Sequence, residues 1–144
     1  MTGEISRKEA KRQRVAKQAP ENPISRVIVD AAYEVHRGWG PGLLETAYEA
    51  ALEHELRLRG LRVERQVSLP AVWKGRRVVD AYRVDLLVED CVLIEVKAVE
   101  ALSSIHRRQT LTYLRLSGVR LGLLINFSSP MFRDGIERIA NGMP

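Results

Sequence analysis

The chain's apolar patterning predicts an α/β fold, a mixed central sheet flanked by helices, with elements in the order ααβββαβα. Three observations carry this. Two stretches with helical apolar spacing precede residue 60. Three strand-like stretches then follow one another with only turn residues between them. A last αβα portion returns through Ser117-Gly118 to the nearly apolar run Leu121-Gly122-Leu123-Leu124-Ile125. At 144 residues, 45% hydrophobic and 28% charged, the chain suits one such domain and leaves no room for two.

Each element has its own signal. Asn22-Pro23 reads as an N-cap followed by proline at the first helical position, and Ile24, Val27, Ile28, Ala31, Ala32 and Val35 keep helical spacing to about Arg37. Gly38-Trp39-Gly40-Pro41-Gly42 breaks that helix, and a second amphipathic helix runs from about Leu43 to Arg59 and closes at Gly60. Val63, Val67, Leu69, Val72 and Trp73 form a strand with an irregularity at Pro70; the turn Lys74-Gly75 leads to a second strand over Val78 to Val88. Glu89-Asp90 turns the chain into Cys91 to Lys97, apolar enough to be buried on both faces. Ser103 or Ser104 caps a crossover helix, Arg120 to Phe127 is the next buried strand, and Met131 to Asn141 is expected as a final helix after Pro130.

Composition excludes several classes of function. No stretch approaches the roughly 20 apolar residues that span a bilayer, and the N-terminus lacks a secretory core, so the chain reads as cytoplasmic. One cysteine, Cys91, permits no internal disulfide, and His36, His54 and His106 are too scattered for a zinc site. The net charge of +5 favours an anionic partner, but residues 1–22, expected as a basic flexible tail, supply +3 of it, and the single domain over 23–144 carries only +2. That domain contains 15 arginines and only two lysines, Lys74 and Lys97. Lys74 sits in a turn. Lys97 ends a hydrophobic strand, where a lysine needs a reason.

Asp85, Glu95 and Lys97 form the constellation that can carry chemistry. Strand periodicity puts Glu95 and Lys97 on one face. A three-residue hairpin loop sets Asp85 opposite Glu95 on that face, whereas a two-residue loop separates them. Two crowded carboxylates resist joint ionisation, which a divalent cation relieves, and such oxygen ligands suit magnesium or manganese. On the second helix Glu45 flanks the apolar stripe of Tyr48, Leu52 and Leu56, and Glu55 has an equal claim by periodicity. Gln109 and Tyr113 share a face of the crossover helix with Ile105 and Leu116.

These residues carry a resemblance. The sequence resembles the GxxExxY protein family, a branch of the PD-(D/E)XK nuclease-like superfamily, whose name motif stands here as Gly42-Leu43-Leu44-Glu45-Thr46-Ala47-Tyr48. The likeness spans about residues 24 to 140 and takes in Gly40-Pro41-Gly42, Asp85-Leu86-Leu87-Val88, Glu95-Val96-Lys97, Gln109 with Tyr113, and Gly122 to Phe127. The superfamily's usual proline before the aspartate is Val84 here. The resemblance implies a restriction-endonuclease-like core and phosphodiester hydrolysis of DNA or RNA. It implies Mg2+ or Mn2+ held by Asp85, Glu95 and the helix acid Glu45, Lys97 acting on the attacking water, Gln109 holding water or phosphate, and Tyr113 as an auxiliary. Arg65, Arg76, Arg77, Arg83, Arg107 and Arg108 are candidates for phosphate contacts that follow the backbone rather than the base sequence. The competing readings are a binding module that keeps the fold without turnover, and a subunit that works as a homodimer or with a partner.

Overall fold

The computed structural model describes residues 20–143, so nearly all of the expected basic tail lies outside the described residues. Two helices come first, α1 (Glu21–Trp39) and α2 (Glu45–Leu58), then the strands β1 (Val63–Trp73), β2 (Arg76–Val88) and β3 (Val92–Lys97). The crossover helix α3 (Ser104–Ser117), β4 (Leu121–Asn126), a 3-10 turn (Phe132–Gly135) and β5 (Ile136–Ala140) complete the domain. The α/β class and the first seven elements are those expected. Among the described residues no helix is long and apolar enough to cross a membrane.

Helix α1 begins before the expected Asn22 cap. Glu21 is already helical and buried, and its carboxylate accepts two hydrogen bonds from Arg120 at 2.8 and 2.9 Å. The Asn22 side chain is instead an acceptor for Arg138 at 2.6 Å, so residues 21 and 22 belong to the domain and not to a tail. At the glycine corner Gly40 and Gly42 take left-handed φ values of 64° and 113°, where a Cβ would be strained. Buried Tyr48 staples this corner: its hydroxyl donates to the Gly40 carbonyl at 2.5 Å and accepts from Leu43 N–H at 3.1 Å. Its ring stacks on Phe127 at 4.7 Å, which docks the start of α2 on the residue after β4.

The sheet order is β1-β2-β3-β4-β5, with β3 and β4 parallel and the other pairs antiparallel. Val88 pairs with Val92, so the hairpin loop has three residues, and Glu89 and Asp90 turn it in the left-handed region. Pro70, which has no N–H to offer, marks the register shift of β1 between Leu69 and Ala71. Helices α1 and α2 cover one side of the sheet over a core of Ile28, Leu52, Leu56, Leu86, Ile94 and Ile125; α3 covers the other with Leu93, Tyr113 and Leu114. Ser103 caps α3 in a reciprocal pair with His106, and Gly118 ends it at φ 74°.

The expected last helix over Met131 to Asn141 does not form. That segment is a short 3-10 turn and then β5, which pairs antiparallel with β4 from Ile125–Ile136 to Leu121–Ala140. Phe132, Ile136 and Ile139 mimic a helical stripe, but β4 is fully buried and its outer edge needs hydrogen-bond partners. Gly135 allows the tight turn: a Cβ there would lie 2.4 Å from the Asn126 carbonyl oxygen.

Candidate active site at the fork of the sheet

Strands β2 and β3 pair only from Val88–Val92 to Leu86–Ile94. Beyond that point β2 continues with β1 and β3 continues with β4 as far as Lys97–Asn126, so the sheet forks. The side chains replace the backbone ladder at the fork. Val96 N–H donates to Asp85 Oδ2 at 2.8 Å, and Asp85 N–H donates to Glu95 Oε1 at 3.1 Å. The three-residue loop thus sets the two acids opposite each other, each satisfying a backbone donor of the other strand.

Helix α2 adds a third carboxylate, and it is Glu49. Only 4% exposed, it is one turn beyond Glu45 and adds its charge to those of Asp85 and Glu95. Glu45, expected as the helix acid, is exposed, and its Oε1 accepts from Ala98 N–H at 3.3 Å, just past Lys97. It flanks the fork from the next turn of the helix. Glu55 is turned away and pairs with Arg59 at 3.4 Å. Helical spacing did carry a signal for Glu49, since residues 45, 49, 52 and 56 lie along one stripe whose later members, Leu52 and Leu56, are fully buried.

Gln66 on β1 is the second residue that sequence reasoning missed. Its amide donates to Glu49 Oε1 at 2.6 Å and to Asp85 Oδ1 at 3.2 Å. Lys97 is half-buried at the end of β3 and its charge acts on both fork acids. From the other side of the sheet α3 presents buried Tyr113, whose hydroxyl is hydrogen-bonded by the exposed Gln109. Asn126, buried beside Lys97, ties down the outgoing loop: it accepts from Val99 N–H at 3.0 Å and donates to the Val99 carbonyl at 2.9 Å.

Burial and crowding determine the electrostatics. Removal from water, then the neighbouring Asp85 charge, pushes the Glu95 carboxyl up to about 8. Asp85 is raised for the same first reason, with Glu49 adding to it and the Val96 and Gln66 hydrogen bonds opposing. Burial and the Glu95 and Asp85 charges raise the Tyr113 phenol.

The expected basic contacts divide. Arg65 is engaged by Glu49 and Glu53, and Arg107 is clamped by Glu137 through two bonds of 2.6 and 2.7 Å, so neither is a ready phosphate ligand. Arg76 and Arg83 are exposed on β2 and Arg108 is exposed on α3, whereas Arg77, also exposed, is itself engaged. An open groove of about 400 Å³ lined by Leu43, Leu44, Glu45, Thr46 and Ala98 borders the fork. Two larger concavities, of about 440 and 510 Å³, contain none of the fork acids.

The carboxylates at the fork offer hard oxygen donors. Among the described residues no three His, Cys, Asp or Glu side chains form a ready-made metal cage. Two interlocked carboxylates with a third nearby are instead the hard-oxygen set that suits magnesium, which keeps several waters and takes one or two carboxylates together with substrate phosphate.

An α/β sheet that forks at an Asp and a Glu-x-Lys strand, with helices on both sides, defines a nuclease-like class of domain. A family profile described as the PD-(D/E)XK nuclease superfamily matches residues 22–139, and the chain belongs to that superfamily. Comparison with curated proteins and with solved structures gave no match.

Proposed function

We propose that this domain is a divalent-metal-dependent nuclease that hydrolyses phosphodiester bonds of DNA or RNA. The observation that carries the proposal is the interlock of Asp85 and Glu95 beside Lys97 and Glu49. Crowding of that kind destabilises the free ionised cluster and creates a demand for a cation. Asp85 and Glu95, with Glu49 nearby, would hold Mg2+ or Mn2+, which when bound polarises a phosphoryl oxygen and acidifies water. The Lys97 ammonium offsets negative charge developing on the phosphoryl group. Gln109, exposed on α3 and bonded to the Tyr113 hydroxyl, offers an amide suited to orient water or a phosphate oxygen, with Tyr113 as an auxiliary. Glu45 acts through the β3 end that it caps.

Exposed Arg76, Arg83 and Arg108 supply contacts to a phosphate backbone, so binding should weaken steeply with salt. Contacts of this kind follow the backbone rather than the bases, which favours structure-directed over sequence-specific cleavage. The test incubates the protein with single-stranded, double-stranded and branched DNA and with RNA, in magnesium, manganese or EDTA. Glu95→Ala and Lys97→Ala run alongside. Metal-dependent cleavage lost in both variants supports the proposal. Full activity in both refutes the site, and metal binding without cleavage of any substrate favours the binding module.

A further inference from the structure

Gln66 is the only non-glycine residue inside a strand, among those described, with a positive φ, at 55°. A glutamine in the left-handed region is disfavoured, and strained backbone in the middle of a strand persists only where its surroundings enforce it. Its effect on the fold is visible in what its neighbours touch. In a regular strand adjacent side chains point to opposite faces. Here Arg65 and Gln66 are adjacent, yet both bond Glu49, at 3.4 and 2.6 Å. Alternation by two would also keep Val63 and Val67 on one face. Val63 instead packs in the core under α1 and α2, while Val67 and Leu69 pack in the core under α3. Opposite it, β2 also changes face, from Leu86 and Val88 under α1 and α2 to Val84 under α3, so both strands turn here and Gln66 is the residue at the turn with a left-handed backbone.

At this turn the left-handed backbone carries one amide into the acid cluster. Gln66 Nε2 has two hydrogens, and the geometry uses both, one toward Glu49 Oε1 and one toward Asp85 Oδ1. Carboxylates only accept when ionised, so the amide must present its nitrogen to them. A neutral donor holds two like charges at a fixed separation without cancelling them, as a lysine in its place would.

We propose that Gln66 is the positioning residue of the acid cluster: its bridging amide presets Glu49 and Asp85 to receive a divalent cation, and its left-handed backbone exists to aim that amide. This inference rests on the metal-dependent reading above. It assigns Gln66 no contact with substrate.

Gln66→Gly separates the two parts of the proposal, because glycine relaxes the backbone and deletes the amide. Mn2+ affinity is measured by titration calorimetry on the full chain without nucleic acid, and thermal unfolding is followed in EDTA. Gln66→Gly is expected to melt no lower than the wild type and to bind Mn2+ about tenfold more weakly, the equivalent of about 1.4 kcal/mol. Gln66→Asn keeps a shorter amide and tolerates the same backbone region, so it should fall between the two. Wild-type affinity in Gln66→Gly overturns the proposal while leaving the metal reading intact. No Mn2+ binding by the wild type overturns the metal reading, and this inference with it.

Discussion

Replacing Glu95 by glutamine should make the protein more stable above pH 8 and change its stability little near pH 5. The carboxyl of Glu95 lies at about 8 in the folded chain against an ordinary 4.5, because it is buried beside Asp85. Its folded value is raised, so the proton is held more tightly in the native state. Below pH 4.5 both states are protonated and the group contributes no pH dependence. Between 4.5 and 8 the unfolded chain releases the proton and the folded chain keeps it, so stability falls as pH rises, and the loss is complete above about 8. At about 1.4 kcal/mol per pH unit, the interval from 4.5 to 8 sets a ceiling of about 5 kcal/mol. Relaxation and water entry at an open fork bring the expected difference to about 2–3 kcal/mol.

Glutamine is neutral at every pH and keeps an oxygen to accept from Asp85 N–H, now at 3.1 Å from Glu95. Removing the Glu95 charge also relieves Asp85, which adds to the gain. The acids whose pKa values are lowered by arginine partners, Glu21, Glu89 and Glu137, lose their stabilisation as pH falls; they are common to both proteins and cancel in the comparison. Urea unfolding of wild type and Glu95→Gln at pH 5, 7 and 9 in EDTA measures the difference. Millimolar magnesium should narrow the gap at pH 9, because a ligand that binds only the folded, ionised cluster stabilises the wild type. A difference that is the same at pH 5 and pH 9 would refute the reasoning.

Three further outcomes are expected. Glu49→Gln should weaken Mn2+ binding more than Glu45→Gln does, measured by calorimetry, since only Glu49 adds its charge to the fork acids; the reverse order would return the helix acid to Glu45. Tyr48→Phe keeps the stack on Phe127 but strands the Gly40 carbonyl and Leu43 N–H, and should lower unfolding free energy in urea by about 1–3 kcal/mol. Gly135→Ala forces a Cβ to within 2.6 Å of the Ser129 Cβ and closer still to the Asn126 carbonyl oxygen, and should cost about 1–3 kcal/mol by the same assay.

What the sequence made legible follows from which constraints are local. Asp85 and Glu95 could be paired because both lie on strands of period two and only the loop length was open; the left-handed Glu89 and Asp90 decide it at three residues. The final strand was hidden because the reason for it is not in the segment. Phe132, Ile136 and Ile139 have helical spacing, and only the exposed edge of a fully buried β4 converts them to a strand. Gln66 was hidden because a glutamine carries no local mark of a left-handed backbone, as a glycine would.

Glu49 was hidden for a different reason, and it bears on what the Gly42/Glu45/Tyr48 motif does. Helix α2 has acids at 45, 49, 53 and 55, and although spacing sets 45 and 49 on the stripe of Leu52 and Leu56, it does not choose between those two. The contacts of the motif residues make that choice. Tyr48 binds the glycine corner and stacks on Phe127 at the end of β4, while Glu45 caps Ala98 at the end of β3. Those two anchors dock the first turn of α2 against the ends of the parallel pair, and i to i+4 spacing then delivers the next acid, Glu49, to the fork. In the proposed site the motif glutamate would thus act at one remove: it aims the helix, and the residue four positions later bonds Gln66 and adds its charge beside Asp85.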